Sequence, residues 1–158
     1  KVTGTPNANA PNVLASSYNI KAEIEIPKDG AEGMLVTHGG RFAGYGFYLL
    51  DGKPVYLYNL FGMKRTRWEG KDVLAPGIHA LEFDFRYDGL GAETLMYGSP
   101  SGLGQGGTGT LKVDGEVVAD QKLEHTVPML MQWCESFDVG ADTGSPVSAP
   151  RDGVSRST

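Results

Sequence analysis

Apolar and polar residues alternate strictly in two stretches of the chain, residues 18–26 and 79–87. In the first stretch every second residue is apolar, and the residues between are Asn, Lys or Glu. In the second stretch the shared face is formed by His79, Leu81, Phe83, Phe85 and Tyr87. Alternation with a period of two is the pattern of a β-strand that buries one face. Both stretches are therefore predicted to be core strands.

Residues 33–59 contain three apolar runs that two glycine-containing turns separate. The first turn lies at Gly39-Gly40-Arg41-Phe42-Ala43-Gly44, and the second is Asp51-Gly52. Asp-Gly between two strand-like runs is a strong hairpin signal, since glycine tolerates the positive φ of a tight turn. We predict a β-meander here. Its exposed edge is expected to carry His38, Arg41, Tyr45, Tyr56 and Tyr58.

The rest of the chain predicts further short strands and no helix. Strands are expected at residues 63–68, 110–113, 117–123, 127–133 and 137–139, with a glycine-rich loop over 88–109. Many short strands separated by turns favour an all-β, two-sheet antiparallel sandwich with jelly-roll or concanavalin-like topology. We predict an extended arm at 1–16, one sandwich domain at 17–148 and a polar tail at 149–158.

Charge and composition exclude some functions. The net charge of −5 argues against non-specific nucleic-acid binding, which needs a basic surface. No apolar run approaches the roughly 20 residues that cross a bilayer. The single cysteine, Cys134, cannot form an internal disulfide and is expected to be a buried apolar residue. The sequence leaves open whether the protein is periplasmic, secreted or cytoplasmic.

His38 and Arg41 are the candidate catalytic residues, should the protein be an enzyme. His38 could act as a general base at neutral pH, and Arg41 could hold an anion. The alternative is that both are polar residues at a strand end. His79 lies in phase with a core face, so we expect it to be partly buried and hydrogen-bonded. No nucleotide-binding or hydrolase motif is present.

A small-molecule site is predicted beside the Gly39-Gly40 corner. Its aromatic candidates are Tyr45, Tyr56, Tyr58, Trp68 and Trp133, and its cationic candidates are Arg65 and Arg67. If their faces coincide, aromatic surface and positive charge suit an anionic or aromatic ligand. The alternative is that the tyrosines are core and the arginines are solvated.

Asp138 and Asp142 flank glycines and are weak candidates for a Ca²⁺ site. Carboxylates on a glycine-rich loop suit this ion. They suit equally an Asx-turn, in which the carboxylate accepts hydrogen bonds from nearby backbone amides. No other cofactor is predicted.

A series of short motifs, in order, resembles the C-terminal β-sandwich region of bacterial arylsulfatases of the type I sulfatase family. The resemblance covers about residues 9 to 148. The motifs include Gly39-Gly40-Arg41-Phe42, Tyr48-Leu49-Leu50-Asp51-Gly52, Leu74-Ala75-Pro76-Gly77, Phe85-Arg86-Tyr87-Asp88-Gly89, Val113-Asp114-Gly115 and Phe137-Asp138-Val139-Gly140-Ala141-Asp142-Thr143-Gly144-Ser145-Pro146-Val147.

The resemblance implies an accessory domain that is not catalytic by itself. In that family, sulfate esters are hydrolysed by a formylglycine made in a Cys/Ser-x-Pro-x-Arg motif, beside a Ca²⁺ site, in an upstream α/β domain. This chain has no such motif. It also lacks the apolar strand expected after Val147, and His38 stands where the pattern has Gln. Two hypotheses follow: an accessory domain that packs on a sulfatase catalytic domain or binds a ligand, or a free-standing enzyme or binding protein with His38 and Arg41 in a cleft. A missing strand would leave an open sheet edge, so self-association is also predicted.

Overall fold

The computed structural model describes residues 1–89, 102–128, 135–143, 145 and 147. Besides one 3₁₀ turn (Asn7–Asn9), the regular elements of this part are ten strands: β1 (Val2–Thr5), β2 (Tyr18–Ile26), β3 (Gly33–Gly39), β4 (Gly44–Leu50), β5 (Lys53–Leu60), β6 (Lys64–Glu69), β7 (Gly77–Tyr87), β8 (Gly107–Val113), β9 (Glu116–Leu123) and β10 (Phe137–Val139). Within these ranges there is no helix long and apolar enough to cross a membrane.

The strands form two antiparallel sheets. The larger sheet has the order β1-β10-β3-β4-β5-β6, and the smaller has the order β2-β7-β8-β9. The prediction of an all-β, two-sheet sandwich is confirmed. The arm predicted at residues 1–16 contributes β1, which pairs with β10 at the end of the larger sheet.

Aromatic rings fill the space between the sheets. Tyr56 on β5 stacks on Phe83 of β7 with ring centroids 3.5 Å apart. Trp68 on β6 packs beside them, and its Nε1–H donates a hydrogen bond to the Gly109 carbonyl on β8 at 2.7 Å. Burial of such large apolar surfaces is the main stabilising term of a sandwich this size.

The outer faces of the two sheets differ. On the larger sheet, a second apolar cluster is buried on the face away from the core; it consists of Met34, Tyr48, Leu50, Val55, Leu57 and Val147. On the smaller sheet the outer face is polar. There Glu82 forms ion pairs with Lys21 at 3.4 Å and with Lys112 at 3.2 Å. Among the described residues, the smaller sheet thus has the polar outer face that water is expected to cover, whereas the outer face of the larger sheet includes a buried apolar cluster.

The two sheets are offset sideways. Tyr18 on β2 packs against Tyr45 on β4, and Phe83 on β7 packs against Tyr56 on β5. Because β2 ends the smaller sheet opposite β4, the strands β3, β10 and β1 extend beyond it. The larger sheet thus projects past the edge of β2, farthest where the short strands β10 and β1 continue it beside residues 36–38 of β3.

The predicted strands at 18–26, 79–87 and 137–139 lie within β2, β7 and β10. The prediction for 127–133 is wrong where it can be compared, because residues 127 and 128 are not in a strand. Residues 129–133, with Trp133, lie outside the described residues, as do Cys134 and the tail predicted at 149–158.

Candidate functional site

The tyrosines predicted to lie on an exposed edge form the interior of the sandwich. Tyr45, Tyr56 and Tyr58 are between 0% and 3% exposed, and Trp68 is 1% exposed. The expectation of an exposed aromatic platform is therefore wrong. Strand pairing explains the difference: Tyr45 pairs with Tyr58, and Tyr56 with Trp68, on the face that meets the smaller sheet.

The tyrosine hydroxyls bond to the protein itself. Tyr18 and Tyr56 share a hydrogen bond of 2.7 Å between their oxygens, and Tyr58 Oη accepts one from the Val127 amide at 2.9 Å. Burial raises the pKa of Tyr18 and Tyr56 well above the usual value. It also raises the pKa of Tyr45 and Tyr58. All four hydroxyls stay protonated, and those of Tyr18, Tyr56 and Tyr58 make the internal hydrogen bonds that fix the core.

His38 lies on the same inner face and is only 6% exposed. Its ring makes edge contacts with Tyr45 and Phe137, at centroid distances of 5.7 and 5.9 Å. Burial lowers the pKa of His38 below its usual 6.5, so the imidazole is neutral at pH 7. A neutral imidazole could accept a proton, but this ring is enclosed by aromatic side chains rather than presented to solvent.

The Gly39-Gly40 corner accommodates the chain's own C-terminal segment. A Cβ atom on Gly40 would lie 2.5 Å from Ser145 Oγ and 2.8 Å from Glu135 Cδ. Ser145 also donates hydrogen bonds to the Glu135 carboxylate from both its amide and its hydroxyl. The close approach predicted for a ligand is therefore made by residues 135 and 145. Glycine is required here because no side chain fits.

Arg41 follows this corner and its side chain is exposed. Its backbone amide donates a hydrogen bond to Ser145 Oγ at 3.0 Å, and its carbonyl accepts one from Asn59 Nδ2 at 2.8 Å. Both backbone polar groups of Arg41 are thus hydrogen-bonded, while the residue as a whole is exposed. Because His38 is buried and Arg41 is exposed, the two residues do not share the cleft that the sequence predicted.

Arg65 and Arg67 share one face of β6, as predicted, but it is not the face of the tyrosines. Arg67 pairs with Leu57, and Arg65 pairs with Asn59. Directly opposed residues in an antiparallel pair lie on the same side of a sheet. The arginines therefore lie on the outer face, where Arg67 forms an ion pair with Glu69 at 3.1 Å. The expectation that positive charge and aromatic surface coincide is wrong.

Asp138 is 1% exposed, and its carboxylate accepts hydrogen bonds from the amides of Gly4 and Thr143 and from the hydroxyls of Thr143 and Ser136. Burial by itself raises the pKa of Asp138, but these hydrogen bonds together hold it below its usual value. This is not an Asx-turn, in which the amide of residue 140 would be the donor, because that amide bonds to the Leu35 carbonyl. The carboxylate instead joins the N-terminal strand β1 to the turn that follows β10. Asp142 is half-buried nearby. No cluster of three metal-ligating side chains occurs among the described residues.

An exposed apolar surface lies at the end of the sandwich that the Gly39-Gly40 corner occupies. Phe42 is 62% exposed, Met63 71% and Phe61 37%. Asn59, fully buried, joins their two turns: its Nδ2 donates to the Gly40 and Arg41 carbonyls, and its Oδ1 accepts from the Gly62 amide. We call Arg41, Phe42, Phe61 and Met63 the end surface. Sequence reasoning missed its apolar members, although large apolar residues beside turn glycines were a visible signal.

No family model and no curated protein matches the chain. Among solved structures it is similar to the mouse laminin alpha1 chain, domains LG4-5. The TM-score is 0.61 at 11% sequence identity, and the match covers 92% of this chain and 33% of that chain. This chain therefore spans about a third of the laminin structure. At this identity the likeness shows the fold alone, a jelly-roll or concanavalin-like sandwich.

Proposed function

We propose that this chain is an accessory β-sandwich, similar to the C-terminal region of arylsulfatases, that is not catalytic by itself and packs on a partner domain through the end surface. The observation that carries the proposal is the exposure of Phe42 and Met63, at 62% and 71%, on two turns fixed to each other by Asn59. Large apolar side chains grouped on a solvent-facing surface are characteristic of a protein contact.

The backbone of the two turns that form the end surface is held by hydrogen bonds before any partner binds. Asn59 is buried and holds both turns, while Ser145 holds the Arg41 amide from the other side. A prearranged surface loses little conformational entropy on binding. The partner that fits is a folded domain with an apolar depression for Phe42 and Met63 and a carboxylate near Arg41.

The arylsulfatase resemblance supports the same surface. Gly39-Gly40-Arg41-Phe42 is one of the motifs that carry it. In this chain the space beside the two glycines is filled by other residues of the chain itself, and Phe42 remains exposed. An α/β sulfatase domain is therefore the partner that we propose.

The alternative of a free-standing enzyme or binding protein around His38 and Arg41 has less support. His38 is enclosed between Tyr45 and Phe137, and Arg41 faces solvent. A catalytic pair needs both groups within hydrogen-bond reach of one reacting atom. A Ca²⁺ ion at Asp138 and Asp142 would have to compete with the Gly4, Ser136 and Thr143 donors.

The first test is the reading frame that encodes this chain, followed by a binding measurement. We expect an upstream segment with a Cys/Ser-x-Pro-x-Arg motif. That segment, purified separately, should bind the 158-residue chain in a calorimetric titration. The double variant Phe42→Ser/Met63→Ser should weaken this binding by at least about tenfold, since buried apolar contacts at an interface centre dominate affinity.

The matched control is Ile78→Ser/Val117→Ser, which removes apolar side chains that are 69% and 57% exposed elsewhere on the molecule. It should leave binding unchanged, and both double variants should melt close to the parent chain. A reading frame with no such upstream segment would contradict the proposal. Equal loss of binding in both double variants would also contradict it.

A further inference from the structure

We propose that the free edge of β2 binds an extended, basic peptide segment as an added strand. The site is the groove between this edge and the projecting part of the larger sheet. It is distinct from the end surface, and it does not depend on the function proposed above.

The first observation is that β2 is a long edge strand. It has nine residues, pairs with β7 along its whole length and ends the smaller sheet. Within the part of the chain that the structure describes, no backbone group of residues 19–25 bonds to anything except β7. Half of the amides and carbonyls of these residues therefore point away from the sheet, and such an edge can pair with another extended chain.

The second observation is that two clefts open along this edge. One, of about 310 Å³, is lined by residues 18–21 and, from the segment that precedes β2, by residues 11–13, together with Val36, Tyr45 and Phe137. The other, of about 370 Å³, is lined by residues 24–26 and 31–34 together with Leu35, Leu49 and Gly140. Consecutive strand residues point to opposite faces. A cleft lined by three or four in succession therefore lies beside the backbone edge and not over one face.

The apolar inner walls of the clefts favour a bound segment with apolar side chains on the side that faces them. Val36 and Phe137 project from the larger sheet into the first cleft, and Leu35 and Leu49 line the second. A strand added beside β2 would direct every second side chain toward these walls. Apolar residues at alternate positions therefore fit, as in other cases of strand addition.

The outer side of β2 selects for positive charge. Glu23 and Glu25 are exposed two residues apart, and neither forms an ion pair with another described residue. Lys21, the cation on the same side, is already paired with Glu82. Side chains directly opposed across two strands interact, and opposite charges are favoured. Lys or Arg residues of the bound segment that lie opposite Glu23 and Glu25 would therefore form favourable charge pairs with them.

The offset of the sheets decides between a peptide and a second copy of this chain. Two copies that pair β2 with β2 antiparallel, about a twofold axis perpendicular to the smaller sheet, would have their larger sheets on the same side. Each larger sheet projects past β2 where β10 and β1 continue the sheet beside residues 36–38 of β3, and this projection would run into the larger sheet of the other copy. A single extended segment has no such projection and can enter the groove. This excludes β2 from the self-association predicted above but leaves β1, β6 and β9 open to it.

The test uses the full chain and a short fluorescein-labelled peptide in which Val alternates with Lys. We expect saturable binding by fluorescence polarisation and slower amide exchange of residues 19–25 in the complex. The same peptide with alternate amides N-methylated should not bind, because it lacks the donors that a strand needs. Glu23→Lys/Glu25→Lys should weaken binding by about tenfold, through the reversal of two cross-strand charge pairs.

The matched control is Glu116→Lys/Asp120→Lys. It changes the net charge equally on β9, the opposite edge of the same sheet, and should alter binding by less than about twofold. Three results would overturn the proposal: equal binding of the N-methylated peptide, equal loss in both double variants, or no binding at all. A dimer in sedimentation that only Glu23→Lys/Glu25→Lys dissociates would assign the edge to a second copy.

Discussion

His79 shows how one side chain can be fixed by two acceptors. Its Nδ1 lies 2.7 Å from Asp114 Oδ2, and its Nε2 lies 2.8 Å from the Ala75 carbonyl. A carboxylate and a carbonyl only accept hydrogen bonds, so only the protonated imidazolium satisfies both. The hydrogen bond to Asp114, and then that to Ala75, raise the pKa of His79 above its usual 6.5. The prediction of a satisfied, partly buried histidine is confirmed.

This arrangement predicts a stability difference that depends on pH. A pKa raised in the folded state stabilises the protein fully below the unfolded value of 6.5, and the effect is lost as pH rises through the folded value. It is also lost in acid as Asp114 protonates, below 3.8. Replacing His79 with Gln should therefore lower Tm by about 2 °C near pH 5.5 and have little effect near pH 9.

The measurement is the difference in Tm between the parent and the His79→Gln variant. The difference is needed because His38 titrates in the opposite sense: its lowered pKa makes the parent less stable in acid. Asp114→Asn should reproduce the loss near pH 5.5, and the double variant should add little to it. A difference in Tm that grows toward pH 9 would refute the assignment.

At the scale of the element, the packing of Trp68 on β8 requires a glycine at position 109 of that strand. A Cβ atom on Gly109 would lie 2.7 Å from Trp68 Cζ2 and 2.8 Å from Phe83 Cζ. The same glycine accepts the Trp68 Nε1–H hydrogen bond through its carbonyl. Glycine usually weakens a strand, but here it lets an indole from the opposite sheet approach the backbone.

Gly109→Ala should therefore destabilise the protein by about 1–3 kcal/mol, measured by urea denaturation. In an ordinary strand the same change would stabilise by about 0.5–1 kcal/mol, because alanine loses less entropy on folding. Thr108→Ala, on the neighbouring half-buried position, is the control and should change the free energy of unfolding by less than about 1 kcal/mol. A Gly109→Ala variant as stable as the parent would show that the core has free space there.

At the scale of the molecule, the two sheets have different surroundings. The outer face of the smaller sheet carries ion pairs around Glu82, whereas that of the larger sheet buries Val147 and five apolar strand residues. The end surface and the β2 groove are separate from both outer faces. Within the part of the chain that the structure describes, these are the two surfaces for which we propose contacts, and neither of them assembles the predicted catalytic pair.

The isolated chain is predicted not to hydrolyse sulfate esters. It has no Cys/Ser-x-Pro-x-Arg motif, and His38 and Arg41 do not converge in one cleft. The purified chain incubated with a chromogenic aryl sulfate should give no release above the buffer blank. Turnover that persists through purification and is lost in His38→Ala, with the fold intact, would contradict this expectation.

The sequence by itself determined most of the strands and which residues of a strand share a face, although it missed β1 and predicted a strand at residue 127. Alternation defined β2 and β7, and Asp-Gly pairs marked the turns at Asp51 and Asp114, because these signals depend only on neighbouring residues. The same local patterns correctly placed Arg65 and Arg67 on one face of β6.

Only the tertiary structure decided which face became the interior. A period of two separates Tyr56 from Leu57, but the register of β5 with β6 and the position of the smaller sheet decide that the tyrosines are buried. The insertion of β10 between β1 and β3, and the packing of Ser145 on Gly40, join residues about a hundred positions apart. No periodic pattern in the sequence predicts such contacts, because they depend on shape and strand register and not on the order of neighbouring residues.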